Sequence, residues 1–265
     1  MCGIAGWIAS DPQRPVERAT IARMLATLVH RGPDGEGIFT APGVGMGTRR
    51  LAIVDVAHGD QPLANEDGSI VVVCNGEIYD APETRDRLAA AGHVFRTRSD
   101  VEVIPHLYEE HGLGFVAHLR GMFALALWDA RRRRLVLARD RFAMKPLCWQ
   151  EDARGLYFAS EAKAVLAATG DAARVDPSAL RDALEMSFVL TPRRCSLASG
   201  GCRRHTCSFT RAAGRGSSAS GRCRSARAAS PRRGAATTTG SPRSATSSAN
   251  RCASTCAATS RPACC

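Results

Sequence analysis

The start of the chain holds two groups that could do covalent chemistry together. In Met1-Cys2-Gly3-Ile4 the second residue is Cys, small enough for the methionine before it to be removed. Removal leaves Cys2 with a free α-amine beside its own thiol. An α-amine titrates near ~7.7–8 and a thiol near ~8.5, so the uncharged amine can take the thiol's proton at neutral pH. One terminal residue would then hold both nucleophile and base. Taken alone, these four residues fit a buried structural Cys at least as well.

Other groups fit the same chemistry. Asn75-Gly76 alone reads as a hairpin turn, but an Asn amide beside a Gly backbone N–H can also form an oxyanion hole. Arg50 could clamp a carboxylate through two parallel hydrogen bonds. Glu77 and Ser99-Asp100 could receive an ammonium. A substrate with a carboxylate, an ammonium and a scissile amide is glutamine.

The motifs around these residues are MCGIAGW, HRGPDGEG, RRLAIVD, QPLANEDG, CNGEIYD, RTRSDVEVI, RGMFALALWD and RDRFAMKPL. In order and spacing they resemble glutamine-hydrolysing asparagine synthetases, from Met1 to about Pro192. The MCGI start is shared more widely among amidotransferases; RGPDG with RLAIVD and NGEIY is more specific. The resemblance implies an α+β N-terminal-nucleophile fold, a four-layer αββα sandwich. It implies Cys2 as nucleophile, Asn75 and Gly76 as oxyanion hole, and Arg50 on the glutamine carboxylate. Glu77 and Asp100 would hold the α-amine, with Ile53 and Val54 beside the substrate through their backbone. Four positions depart from the usual pattern: Cys74 and Cys148 replace Tyr, Asp80 replaces Asn, and Ala143 replaces Gly. Ala143 matters most if its position requires a positive φ.

These groups need elements to position them. Gly3–Ile8 is β-compatible and ends at Ser-Asp-Pro. Ile21, Met24, Leu25 and Leu28 have helical spacing that Gly32-Pro33 stops. Residues 34–37 read as a Gly-rich loop and 44–54 as strand. Residues 70–73 read as a buried strand before a turn at Asn75-Gly76. Helices are predicted over 85–91 with a Gly92 cap, and over 101–110, 161–168 and 177–184, the last with Asp176 as N-cap and Pro177 first. Residues 121–129 and 135–140 form a hairpin around a tip of Ala130 and four arginines, and 156–159 form a further strand.

Composition divides the chain. All 25 acidic residues precede Arg193, with 22 of the 36 Lys and Arg, so this part is slightly acidic. The remaining 14 basic residues are all Arg and lie from Arg193 on, with eight of the 11 Cys, one Leu, one Phe and no Ile, Val, Met, Tyr or Trp. Such a stretch has too little apolar area to offset its chain entropy. The organisation expected is a glutaminase domain over 1–192, without its last strands, and a disordered tail over 193–265. The tail's Cys lack CxxC pairs with partner histidines, so no metal is expected. No run approaches a membrane span or signal peptide, which suggests a cytoplasmic protein.

The tail also reads sensibly in another frame. Joining each codon's third base to the next codon's first two, from Arg193/Arg194 to Phe209/Thr210, permits TLFAGVRRLPPAHVLVY. The family's own continuation is close to TLF-GVRRLPPGH-L, as if one base were lost near codon 193. The family's ATP-binding Ser-Gly-Gly-x-Asp-Ser loop is missing, since Cys-Arg-Arg follows Ser199-Gly200-Gly201. Glutamine hydrolysis needs no cofactor. ATP and Mg²⁺ belong to amide synthesis in the intact family, and no site for them is expected here, so no asparagine synthesis is either. The partner expected is glutamine, with no membrane and no specific nucleic acid; the resemblance allows a homodimer. Two other readings stand beside this one, an inactive remnant and a protein whose Arg-rich tail binds nucleic acid. The second suffers from the tail's lack of stacking aromatics.

Overall fold

The computed structural model describes residues 1–173 and 175–187, and beyond them the backbone of 200–201, 206–210 and 220–224. The elements are β1 (Gly3–Ala9), α1 (Arg18–Ala26), β2 (Gly35–Ala41), β3 (Val44–Arg50), β4 (Leu63–Ala64), β5 (Ile70–Ile78), α2 (Ala81–Ala90) and α3 (Val103–His111). They continue with β6 (Gly121–Asp129), β7 (Arg134–Arg139), β8 (Cys148–Asp152), β9 (Gly155–Ala159), α4 (Ala162–Thr169) and α5 (Pro177–Met186). Strands β10 (Gly200–Gly201), β11 (Thr206–Thr210) and β12 (Ser220–Arg224) complete them.

Two six-stranded antiparallel sheets result, ordered β10-β8-β9-β1-β3-β2 and β12-β11-β7-β6-β5-β4. Strand alternation explains how they stack. In β1, Ile4 and Ile8 face a shared core with Val71 and Val73 of β5, while Ala5, Trp7 and Ala9 face Ile21, Met24 and Leu25 of α1. In β5, Val72 and Cys74 turn the other way, onto Ile104, Leu107 and Tyr108 of α3. Each central strand is thus buried on both faces, and the layers read helix, sheet, sheet, helix, as expected.

Several boundaries differ from the sequence reading. Asn75-Gly76 is not a turn: β5 runs unbroken to Ile78, with Asn75 opposite Ala124 and Gly76 opposite Phe123. Pairing to β6 overrides the local turn preference. Gly is needed there because a Cβ on residue 76 would lie 2.2 Å from the Met122 carbonyl oxygen. Of residues 34–37, read as a Gly-rich loop, 35–37 begin β2, which runs to Ala41 against β3. Strand β3 stops at Arg50, and 51–60 are loop. Helix α2 starts four residues early, because Pro82 fits its first turn. The β6–β7 and α5 expectations hold, with the Asp176 carboxylate accepting the Ser178 N–H at 2.9 Å, whereas α1 ends at Ala26, before Leu28 and the expected stop at Gly32-Pro33.

Most of 193–265, read as a disordered tail, lies outside the described residues. Within that stretch, the backbone of β11 pairs with β7 and with β12, and β10 pairs with β8. A sheet edge offers main-chain donors and acceptors whatever the partner's side chains.

Candidate active site

One pocket forms where the start of β1, the end of β3 and the second half of β5 converge. It is lined by Cys2, Arg50, Ile53, Val54, Asn75, Gly76, Glu77 and Asp100, the eight residues to which the family resemblance gives roles. Met1, Leu51, Gln61, Ser99, Met122 and Lys145 complete most of its wall.

Cys2 is fixed from both sides. Its Sγ accepts the Leu51 N–H at 3.4 Å, and its carbonyl accepts Nε of Arg31 at 3.1 Å. Arg31 is itself held by Glu161 at 2.8 Å. Burial acts to raise the Glu161 carboxyl, but hydrogen bonds from Arg31, Lys163 and His30 hold it down at about 2. The RGPDG motif braces the same end of β3. A Cβ on Gly32 would sit 2.3 Å from Arg49 backbone atoms, so only Gly permits this approach. Asp34 then accepts the Ala52 N–H at 2.9 Å and donates its own N–H to the Arg50 carbonyl at 3.0 Å.

Asn75 is 1% exposed, and its Nδ2 has no hydrogen-bond partner. A buried amide donor without a partner costs on the order of 1–3 kcal/mol, so its place in the pocket wall suits an arriving acceptor. Behind it, Gln61 accepts the Cys74 N–H at 2.6 Å. Cys74 itself is a poor nucleophile, since burial pushes its thiol well above the ordinary range.

Arg50 has its terminal donors engaged with the loop. Nη1 reaches the Val56 carbonyl at 3.1 Å and Asp60 Oδ1 at 2.7 Å; Nη2 reaches the Val54 and Asp55 carbonyls at 3.0 and 2.7 Å. Of these acceptors only Asp60 is a carboxylate, and its side chain is 80% exposed. Asp55 holds the loop to the next segment by accepting the Arg98 N–H at 2.7 Å; that bond is the main reason its carboxyl is lowered.

Asp100 accepts the Ile78 N–H at 2.7 Å. Burial raises its carboxyl; the Ile78 N–H offsets part of that, and the nearby Glu77 charge adds to it. Two close carboxylates, one of them half-buried, make a place where an ammonium is favourable. Buried Glu102 sets the approach to Asp100, accepting the Arg96 and Thr97 N–H groups at 2.7 and 2.9 Å.

Sequence reasoning assigned no role to Gln61, Glu102 or Lys145, although all lie in or next to quoted motifs. Lys145 is 7% exposed, and its Nζ donates to Met1 Sδ at 3.4 Å. Asp140 delivers it to the wall by accepting the Phe142 and Met144 N–H groups at 2.8 and 3.0 Å. The turn between them puts Ala143 at φ 54°, so the position does require the conformation that Gly adopts freely. Buried Cys148 packs in the β1–α1 core and donates to the Ala159 carbonyl at 3.1 Å. No helix among the described residues is long and apolar enough to cross a membrane.

Comparison with known proteins places the chain in a family. The chain is 46% identical over 167 residues to asparagine synthetase [glutamine-hydrolyzing] 2 of Bacillus subtilis, covering 62% of this chain and 22% of that protein. It is 39% identical over 194 residues to asparagine synthetase [glutamine-hydrolyzing] 3 of the same organism, covering 72% and 32%. The chain therefore spans about a fifth to a third of the length of these relatives. Among solved structures, the glutamine phosphoribosylpyrophosphate amidotransferase of B. subtilis superposes with a TM-score of 0.53 at 22% identity, over 66% of this chain and 46% of that one. An allosteric regulatory enzyme of purine biosynthesis gives 0.56 at 18% identity, over 79% and 47%. These two share the N-terminal-nucleophile fold. Residues 1–199 match the glutamine amidotransferase domain family, and the chain belongs to that family.

Proposed function

We propose that this chain hydrolyses glutamine to glutamate and ammonia, with Cys2 as nucleophile after Met1 is removed. The observation that carries the reading is the single pocket gathering Cys2, Asn75, Gly76, Arg50, Glu77 and Asp100. The free α-amine of Cys2 takes the thiol proton as Sγ attacks the side-chain amide carbon. The tetrahedral oxyanion is met by Asn75 Nδ2 and the Gly76 N–H. The C–N bond breaks as the ammonium proton passes to the leaving nitrogen, which departs as ammonia. Water then adds to the thioester, and glutamate leaves with the thiol restored. Arg50 takes the substrate carboxylate in place of Asp60, Glu77 and Asp100 take its ammonium, and the backbone near Ile53 and Val54 forms the outer wall.

In a longer protein of the relatives' kind, the ammonia would serve ATP- and Mg²⁺-dependent amidation of aspartate; the relatives' names and the 46% identity support this. We also propose that the reading frame changes near codon 193. The switch in composition there supports it, as does Val-Leu-Val-Tyr falling in the alternative frame on the stretch that forms β11. Sequencing the DNA over codons 190–210 tests it: third bases that spell the relatives' continuation in the shifted frame are expected, and third bases that do not would refute it.

The hydrolysis itself is tested by comparing the chain with Met1 removed and with a residue retained before Cys2. Glutamate should appear from glutamine, without ATP, only in the first. Equal release from both would overturn the assignment of the base, and no release from either would favour an inactive remnant.

A further inference from the structure

A second polar cluster lies away from the pocket, beside the β4–β5 hairpin. Glu66 of the hairpin, His93 after α2, and His106 and Glu109 of α3 each offer one ligand atom within 4.8 Å of the other three. His106 and Glu109 stand three apart on α3 and so share a face. His106 is fully buried, yet neither of its ring nitrogens has a hydrogen-bond partner. Its Nδ1 faces Glu66 Oε1 at 3.5 Å and Glu109 Oε2 at 3.4 Å without the direction of a hydrogen bond. His93 Nδ1 faces the same two oxygens at 3.3 and 3.7 Å.

We propose that these four residues bind one divalent metal ion of the zinc type, in a closed His₂Glu₂ site that braces the fold. Zinc sits about 2.0–2.2 Å from N and O ligands, so tetrahedral ligands lie about 3.3–3.6 Å apart. The four nitrogen–oxygen separations, 3.3 to 3.7 Å, fall on or just outside that span, and all six ligand pairs lie within 4.8 Å. A dication offsets the two carboxylates and gives His106 Nδ1 a partner. The two carboxylate ligands are also oriented from behind, as metal ligands usually are. Asn65 Nδ2 donates to Glu109 Oε1 at 2.8 Å, leaving Oε2 for the ion. The Val94 N–H donates to Glu66 Oε1 at 2.9 Å, and that oxygen keeps a second lone pair. Four protein ligands leave no open position, so the role is structural. The ion would tie the hairpin and α3 to the segment after α2 that leads to Asp100. This proposal is independent of the glutaminase reading.

The test uses the full, untagged chain with accessible thiols alkylated under native conditions, so that cysteines cannot take up the metal. After chelation, Zn²⁺ is titrated by calorimetry, and Co²⁺ is added separately as a spectroscopic stand-in. The expected result is one ion per chain and the intense visible band of tetrahedral Co²⁺, without a sulfur charge-transfer band. His93→Gln and Glu109→Gln, both partly exposed and checked by circular dichroism, should weaken Zn²⁺ at least ~100-fold. Uptake below one ion per chain, an octahedral or sulfur-type Co²⁺ spectrum, or unchanged affinity in folded variants would overturn the proposal. The cluster would then be a His–carboxylate network. Should both variants misfold, the parent's stoichiometry and Co²⁺ spectrum decide the matter alone.

Discussion

Asn75 on β5 and His106 beside the hairpin leading into β5 are both buried polar side chains without a partner, and they differ in what faces them. Around Asn75 the remaining groups are a thiol, a guanidinium and two carboxylates spread over a pocket wall. That arrangement suits a substrate with several functional groups. Around His106 the remaining groups are one imidazole and two carboxylates within 4.8 Å, which suits a single ion. The support differs too. Helix α3 and a hairpin hold the cluster, whereas the 51–60 loop lines the pocket, as expected where ligands must enter and leave. In both places a buried polar atom without a partner faces groups whose chemistry indicates the ligand.

The largest effect that could break this comparison is at Cys2. Cys2→Ala should abolish glutaminase activity, while Cys74→Ala should leave measurable turnover; product assays on both decide whether the pocket thiol is the one that matters. Next in size is the unpaired amide. Asn75→Ala should lower kcat by roughly 10²–10³ with a smaller change in KM, as steady-state kinetics would show. A change confined to KM would mean that Asn75 holds the ground state instead.

Smaller effects are expected in substrate binding. Arg50→Ala should mainly raise KM, whereas Asp60→Asn should lower it a few-fold by freeing Arg50 donors. The Asp100 carboxyl is raised by burial, so it protonates early as pH falls, and the site then loses a negative charge that an ammonium needs. KM for glutamine should therefore rise as pH drops through that raised value, and Asp100→Asn should remove the dependence. Bound ammonium should shift the same titration downward. The smallest effect lies at Ala143. Ala143→Gly should stabilise the chain by roughly 0.5–1 kcal/mol, because Gly relieves the positive φ. Thermal melts should then shift upward by ~1–4 °C.

The pocket was legible in the sequence because its residues sit in dense motifs, and those motifs fix backbone as well as chemistry. Gly32 and Asp34 hold the end of β3, and Ser99-Asp100 opens a helical turn. Asn75-Gly76 was misread locally, since its preference for a turn is outweighed by pairing with Ala124 and Phe123 on a strand some 50 residues away. The metal cluster left no such signal. Its ligands come from positions 66, 93, 106 and 109, and only the fold brings a hairpin, a post-helical segment and a helix face together. Lys145 was quoted in a motif but given no task, because nothing in RDRFAMKPL shows that the turn at Ala143 aims it at the Cys2 pocket.

The central claim, that Cys2 with a free amine is the nucleophile, is tested most directly by covalent trapping. A glutamine analogue bearing a diazoketone in place of the side-chain amide would alkylate the attacking thiol with loss of nitrogen. Peptide mass spectrometry then locates the adduct among the 11 cysteines. The account predicts one adduct per chain, on Cys2, blocked by excess glutamine and formed only when Met1 has been removed. An adduct on Cys74, on Cys148 or across the cysteines beyond residue 193, or labelling of Cys2 at the same rate with Met1 retained, would contradict it.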